Sequence, residues 1–307
     1  MTINLDRRSM LAGGAGLAAG LGTLPPLEIG GTASAREPLD LDDPIAKMRA
    51  KVKMIGTLKD NVTSHRVSRG WVYGYNPDDD SFTPFYSMIN YNVTQWSRIS
   101  ETEHRYKMHE CAIYTPFDEF AVLETFRNPL TGEDVEPMPY VIGPIEVTVT
   151  PDGSDTGPEA TIKPVNMDWT VMGGSVWMPV QSEFSFPNPV SPEIWPKESS
   201  GETTTWQSFI LFMASLADLE NPDLDRVRAL NHYQENVTWT PWLEMAGRPG
   251  FSLSRGFGMK LLSMEEIPTE PLTLLQETLP EMFDLDSWTG VRNNYRDFMK
   301  ARKPKPI

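Results

Sequence analysis

Cysteine is almost absent from this 307-residue chain: Cys111 stands alone. One thiol cannot form an internal disulfide, so stability must come from a core. Histidine is nearly as scarce, at positions 65, 104, 109 and 232. His-Glu-x-x-His and Cys-x-x-Cys motifs are missing, so no spaced zinc set is expected. The same inventory argues against haem or iron–sulfur ligation, and no cofactor is expected. The Gly-x-Ser-x-Gly elbow, the Walker loop and the dinucleotide fingerprint are missing as well. Basic residues are outnumbered, 27 Lys and Arg against 42 Asp and Glu, for a net charge of −15. Nucleic acid and anionic lipid are poor partners for such a surface, because phosphate neutralisation needs clustered cations.

Long hydrophobic runs are also lacking. The uncharged stretch Met10–Leu24 is diluted by glycines and followed by Pro25 and Pro26. It is too short and too weakly apolar for a spanning helix. With Arg7 and Arg8 before it and Ala33-Ser34-Ala35 after it, it reads as an export signal cleaved after Ala35. The paired arginines followed by Met10 and Leu11 resemble the twin-arginine signal, whose translocase is the expected partner during export. The mature chain is then expected outside the cytoplasm, periplasmic or secreted, with no stable membrane insertion.

What is plentiful is proline (27), tryptophan (9) and methionine (16). Proline at that level predicts many short strands and loops. Ile45, Met48, Val52 and Ile55 keep helical spacing, which predicts a short amphipathic helix over 45–58. From residue 66 the period becomes two. Val67, Trp71, Tyr73 and Tyr75 share one face of a strand; Gly70, Val72 and Gly74 share the other. Strands are expected over 84–99, 104–115, 120–127 and 135–149, and later over 233–245 and 250–262. Residues 203–220 fit a helix or a buried strand equally well. Helical spacing returns at 272–279 and 288–299. The fold expected is mainly β, a large antiparallel barrel or sandwich with peripheral helices at both ends, forming one domain over 36–307.

Two blocks carry a family resemblance. One is Phe126-Arg127-Asn128-Pro129-Leu130-Thr131-Gly132-Glu133-Asp134-Val135. The other is Trp239-Thr240-Pro241-Trp242-Leu243-Glu244-Met245-Ala246-Gly247-Arg248-Pro249-Gly250, followed by Gly258-Met259-Lys260. They resemble the hallmarks of the bacterial and fungal family called domain of unknown function 1838, and Trp71–Tyr75 falls where that family also has an aromatic strand. Ala246 departs from the glycine expected there. The resemblance covers roughly residues 45–285 and implies no catalytic residues.

The chemistry-bearing candidates follow from the residues themselves. His109 and Cys111 point the same way on a strand, with His104 and Glu110 on the opposite face. That pair supplies at most two ligands, and a nucleophile and base usually come from separate segments. Trp239 and Trp242 flank Pro241, and Arg248 follows in a turn. Such an aromatic wall beside a guanidinium suits a ligand with an anionic or phenolate group, although a core corner has the same composition. One cavity lined by Trp71, Tyr73, Tyr75, His232, Trp239, Trp242 and Arg248 is the expected ligand site. Its occupant would be a small apolar or aromatic molecule. A cofactor-independent lyase, isomerase or hydrolase acting on such a molecule is the alternative, and an envelope structural or assembly protein a weaker one.

Exchanging Arg7 and Arg8 for lysine should hold the protein in the cytoplasm. Cell fractionation checks this, and unchanged periplasmic recovery would point to the general secretory route.

Overall fold

A computed structural model describes residues 38–155, 163–165, 167–288 and 290–307. The export signal of residues 1–35 lies outside the described residues. Eight long strands build the fold. They are β1 (Val62–Asn76), β2 (Ser81–Arg98), β3 (His104–Thr115), β6 (Tyr140–Thr150), β10 (Ser175–Pro187), β11 (Thr203–Ser215), β12 (Ala229–Val237) and β13 (Phe251–Leu261). Short β7 (Gly153–Asp155) and β8 (Lys163–Val165) extend the two edges, and β9 (Thr170–Met172) pairs with β10. The order is β7-β6-β3-β2-β1-β13-β12-β11-β10-β8, antiparallel throughout. The sheet curls into a half-barrel. The mainly β expectation therefore holds, with a trough open along one side.

Strands this long run against the expectation drawn from proline content. The prolines within them sit where they remove no needed ladder bond. Pro84 lies at the register shift between β1 and β2. Pro144 lies beside the register shift between β3 and β6. Pro179 lies on β10 between the segments that pair with β8 and β9. Bulges and unpaired edges are where a strand tolerates proline.

Three expected strands shrink, that over 233–245 stopping at Val237 of β12 before a 3₁₀ turn at Pro241–Leu243. Over 120–127 only β4 (Phe126–Arg127) forms, paired with β5 (Asp134–Val135), and the following long strand begins at Tyr140. The apolar residues of this stretch anchor a loop: Phe126, Val135, Leu123 and Leu130 join a core cluster at one end of the trough. The ambiguous 203–220 segment is strand to Ser215, then one helical turn, α2 (Leu216–Leu219).

Helix α1 (Pro44–Ile55) is capped by Asp43, whose carboxylate accepts from the Ile45 amide, and Pro44 opens it. Met48 and Val52 pack on Trp96, Val147 and Val149; Ala50 and Met54 pack on Phe212, Ala214 and Met178. Ile45, assigned to the same stripe from spacing, is exposed. Two buried lysines tie this end together. Lys260 donates to the carbonyls of Lys53 (3.1 Å) and Val227 (2.8 Å), and Lys53 to those of Leu219 (3.0 Å) and Asn221 (2.8 Å). Burial, with Arg226 nearby, lowers the Lys260 pKa to about 7.

The C-terminal region serves two faces. Helix α3 (Thr269–Thr278) and the turns after it cover the convex side of β2, β3 and β6. There Leu275, Leu279 and Met282 meet Ile89, Tyr91, Ile113 and Val141. Helix α4 (Asn294–Ala301) closes the other end of the trough, with Tyr295 and Phe298 in the cluster that holds Trp195, Trp239 and Trp242.

Ala246 takes φ 49°, the left-handed region. Its amide donates to the Lys197 carbonyl and that of Gly247 to Ser199, which holds the turn in place. A Cβ in this conformation costs roughly 1–2 kcal/mol, partly offset by the greater unfolded freedom of glycine. Ala246→Gly should therefore stabilise the protein by about 0.5–1 kcal/mol. Urea unfolding checks it, and a loss of stability would contradict this account of the turn.

Candidate functional site

In a curled sheet the concave side has less room per residue, so small side chains gather there and bulky ones face out. Strand β1 shows this division. Ser64, Ser68, Gly70, Val72 and Gly74 are buried on the concave side, whereas Trp71, Tyr73 and Tyr75 lie on the convex side and remain partly exposed. Strand β13 answers with Ser252, Ser254, Gly256 and Gly258 opposite them. Gly70 and Gly256 are direct partners. A Cβ on Gly70 would lie 2.0 Å from the Tyr233 hydroxyl, and one on Gly256 2.6 Å from its ring. The phenol thus lies flat on a floor that only glycine leaves free.

The trough has an aromatic end and an end held by the buried Lys53 and Lys260, and its middle is polar. Glu110 on β3 accepts from the Asn90 amide (2.7 Å) and, more weakly, from that of Asn92 (3.4 Å). Glu235 on β12 accepts from the hydroxyls of Ser208 (3.1 Å) and Ser254 (3.5 Å). Arg66 on β1 sits 5.6 Å from the Phe212 ring, and its Nε has no partner. A space of about 10 Å³ beside it, bordered by Ser64, Asn92, Thr94, Phe212 and Lys260, has room for one water. Arg66, Asn90, Glu110, Tyr140, Trp206, Ile210 and Glu235 are only partly covered, unlike the side chains packed at either end. Solvent therefore reaches the polar belt along the open side. Tyr140 from β6 and Trp206 from β11 approach across that opening, with ring centres 6.2 Å apart.

Several deeply buried polar atoms here lack partners. Tyr233 is 6 % exposed, and its hydroxyl has none. Asn231, 4 % exposed, donates to Ser68 (3.3 Å), but its Oδ1 accepts from nothing. Each such group costs about 1–3 kcal/mol if left dry. Three of them, counting Arg66 Nε, on one face mark a place that expects a polar occupant.

The electrostatics agree with the crowding. Burial raises the Glu235 pKa to about 7, and the charge of Glu110 adds to it. Ser208, Trp206 and Arg66 pull the other way. Burial also raises the phenols of Tyr233 and Tyr140, with both glutamates contributing. Neither glutamate was singled out for this role from the sequence. The available signal was the alternation of polar or small with bulky residues along β1, β12 and β13, which shows two faces but not which one is enclosed.

The residues expected to line one cavity are divided by the fold. Trp71, Tyr73, Tyr75 and His232 face the convex side. His232 borders a surface cleft of about 220 Å³ there, with Trp177, Leu211, Met213, Leu230 and Phe257. Trp239 and Trp242 are buried in the core cluster at the α4 end, where a 3₁₀ turn at Pro241–Leu243 realigns them. Trp239 stacks on Phe85 (6.1 Å) and donates its indole N–H to the Arg248 carbonyl (2.9 Å). The Arg248 side chain is exposed. His109 and Cys111 do share a face, as spacing predicts, but it is the convex one under the C-terminal cover. His109 lies 4.4 Å from the Trp288 ring, and burial raises the Cys111 thiol far from reactivity. No group of three or more His, Cys, Asp or Glu side chains suited to a metal occurs among the described residues.

Glu235 has a stability signature. Its folded pKa, about 7, lies above the ordinary value of 4.5, so between those pH values the folded state holds the extra proton. Stability from this group is full below pH 4.5 and is lost as pH rises to about 7. Relative to wild type, Glu235→Gln should gain stability progressively across that window and level off above it. Denaturant unfolding at a series of pH values checks this; a constant offset would mean that Glu235 titrates normally.

The two blocks that carry the family resemblance meet in space. The Asn128 amide donates to the Leu243 carbonyl (2.9 Å), and Phe126 lies 6.1 Å from the Trp242 ring. Together they close the α4 end of the trough. A search of curated proteins finds none that matches the chain. The family model described as a protein of unknown function, DUF1838, matches residues 63–293, from the start of β1 to the approach to α4. That match spans the whole half-barrel, and the chain belongs to the DUF1838 family.

Proposed function

We propose that this chain is an exported protein that binds a small, largely apolar molecule in the concave trough. One uncharged polar group of the ligand would sit on the belt of Arg66, Glu110, Tyr233 and Glu235. The observation that carries this reading is the set of buried, unpartnered polar atoms on a floor cleared by Gly70 and Gly256. Apolar walls with a few convergent polar groups are the usual composition of a small-molecule site. The charge count favours a neutral group. Arg66 offsets one carboxylate, and Glu235 keeps its proton up to about pH 7. Export rests on Arg7, Arg8 and the segment that follows them.

N-phenyl-1-naphthylamine, a neutral aromatic dye, tests the reading. Its emission should rise and shift to the blue with the wild-type protein. Ile142→Trp and Ile210→Trp fill partly open concave positions and should weaken binding about tenfold or more while the fold persists. Trp71→Ala, on the convex face, and Arg248→Ala, in the exposed turn, should leave it unchanged. Binding lost through Trp71 or Arg248, and kept in the two tryptophan variants, would move the site out of the trough.

A further inference from the structure

The belt holds two carboxylates in different settings. Glu110 is served by amide donors, as an acceptor is: Asn90 at 2.7 Å and Asn92 at 3.4 Å. On Glu235, Ser208 donates to Oε1 at 3.1 Å and Ser254 to Oε2 at 3.5 Å, with the Trp206 indole a further neighbour. The Tyr233 hydroxyl, buried and without an acceptor, stands on the same concave face of β12 as Glu235, two residues away, with its ring over Gly70 and Gly256. An acceptor carboxylate beside two hydroxyl-type donors in a partly desolvated trough is the equipment for enolisation.

We propose that the trough is a proton-transfer site, in which Glu110 removes a proton from the carbon beside a ketone while the Tyr233 hydroxyl and the Glu235 carboxyl hydrogen-bond the ketone oxygen. This rests on the trough binding a small apolar molecule, and it names the class: enolisable ketones of low polarity. The C–H electron pair becomes the C=C bond of an enolate, the carbonyl π pair moves to oxygen, and the proton stays on Glu110. Exchange of that proton with a solvent deuteron on Glu110, followed by delivery of the deuteron to the same carbon, gives hydrogen exchange. Return of the proton to the γ-carbon of a β,γ-unsaturated ketone moves the double bond into conjugation. The step is redox-neutral and needs no third reactant. Donors aimed at the oxygen where charge develops are worth more in such a site than in water.

The charged and titratable groups around Glu235 are Glu110 on β3, Arg66 on β1, Tyr140 on β6 and Tyr233 on its own strand. Of these Glu110 raises the Glu235 pKa and Arg66 lowers it, while burial is the largest effect. The donor role of Glu235 should therefore fade as pH rises through about 7.

The probe is β-tetralone in heavy water, with α-hydrogen exchange followed by proton NMR and binding followed by displacement of N-phenyl-1-naphthylamine. Wild type should accelerate exchange over buffer. Compared at ketone concentrations that saturate displacement, so that weaker binding does not enter, Glu110→Gln should lower that rate about 100-fold or more, and Tyr233→Phe about tenfold or more. The wild-type rate, corrected for buffer, should decline above about pH 7, and Glu235→Gln should abolish that decline, which a merely structural glutamate would not do. Should Glu110→Gln not fold, Glu110→Asp keeps the charge, shortens the reach and should slow exchange at ketone concentrations that saturate displacement. Binding without exchange, or exchange unchanged by Glu110→Gln, would overturn the proton-transfer assignment alone. Failure of both dye and ketone to bind would overturn the binding reading with it.

Discussion

Gly70 and Gly256 face each other across β1 and β13, and the Tyr233 ring lies over both. A Cβ at either position would overlap the phenol, at 2.0 Å from its oxygen or 2.6 Å from its ring. The rest of the concave face follows from that clearance. With Gly258 opposite Ser68, and Gly74 beneath the Phe85 ring, the middle strands can curl without crowding. The curl then brings Glu110 on β3 and Glu235 on β12 close enough for their charges to interact, although three strands separate theirs in the sheet.

The trough is closed by different chemistry at its two ends. At the α1 end, Lys53 and Lys260 satisfy four carbonyls between them, so a helix, two loops and a strand are fixed by charged donors in an apolar surrounding. The Lys53 and Asn221 carbonyls also accept the amides of Val227 and Leu224, so removing the Lys260 amine would strip its side-chain donor from Val227, and removing that of Lys53 from Leu219, each at about 1–3 kcal/mol. At the α4 end, closure is aromatic. Phe85, Phe126, Tyr86, Tyr114, Trp239 and Trp242 meet stacked, edge to face or tilted at centroid distances of 5.0–6.2 Å. The buried Glu244, paired with Lys197 and Lys305, pins the C-terminal tail over this cap. The polar belt lies between two rigid plugs. That arrangement lets a few buried donors and acceptors keep their positions with no protein partner.

The fold class was legible because period two is a local property. Alternation along residues 66–76 and 104–115 follows from the pleat, and both segments are strands. The amphipathic N-terminal helix and helix α3 were legible for the same reason at period 3.6, whereas α4 begins at Asn294 and leaves Trp288 and Val291, placed on its stripe by spacing, outside it. The limits of 120–127 and 135–149 were not, since Leu123, Phe126 and Val135 are apolar whether they pair in a ladder or anchor a loop on a core. Residues 203–220 stayed open because a short apolar run looks alike in a buried strand and a buried helix.

The site divides in the same way. By itself the sequence determined that the chain is acidic, has no disulfide, is built of strands and belongs with the DUF1838 blocks. It also determined that Trp71, Tyr73 and Tyr75 share one face and that His109 and Cys111 share another, since both follow from the pleat alone. Which face looks inward was decided only by the direction of curl, a property of the whole sheet. Curl put the aromatics of β1 outside and Ser68, Gly70 and Tyr233 inside. It also joined Arg66, Glu110 and Glu235 in one belt, although 44 and 125 positions separate successive members of that set in the chain. Proximity of that kind comes from strand order and curvature, and neither is encoded in any window of sequence short enough to read.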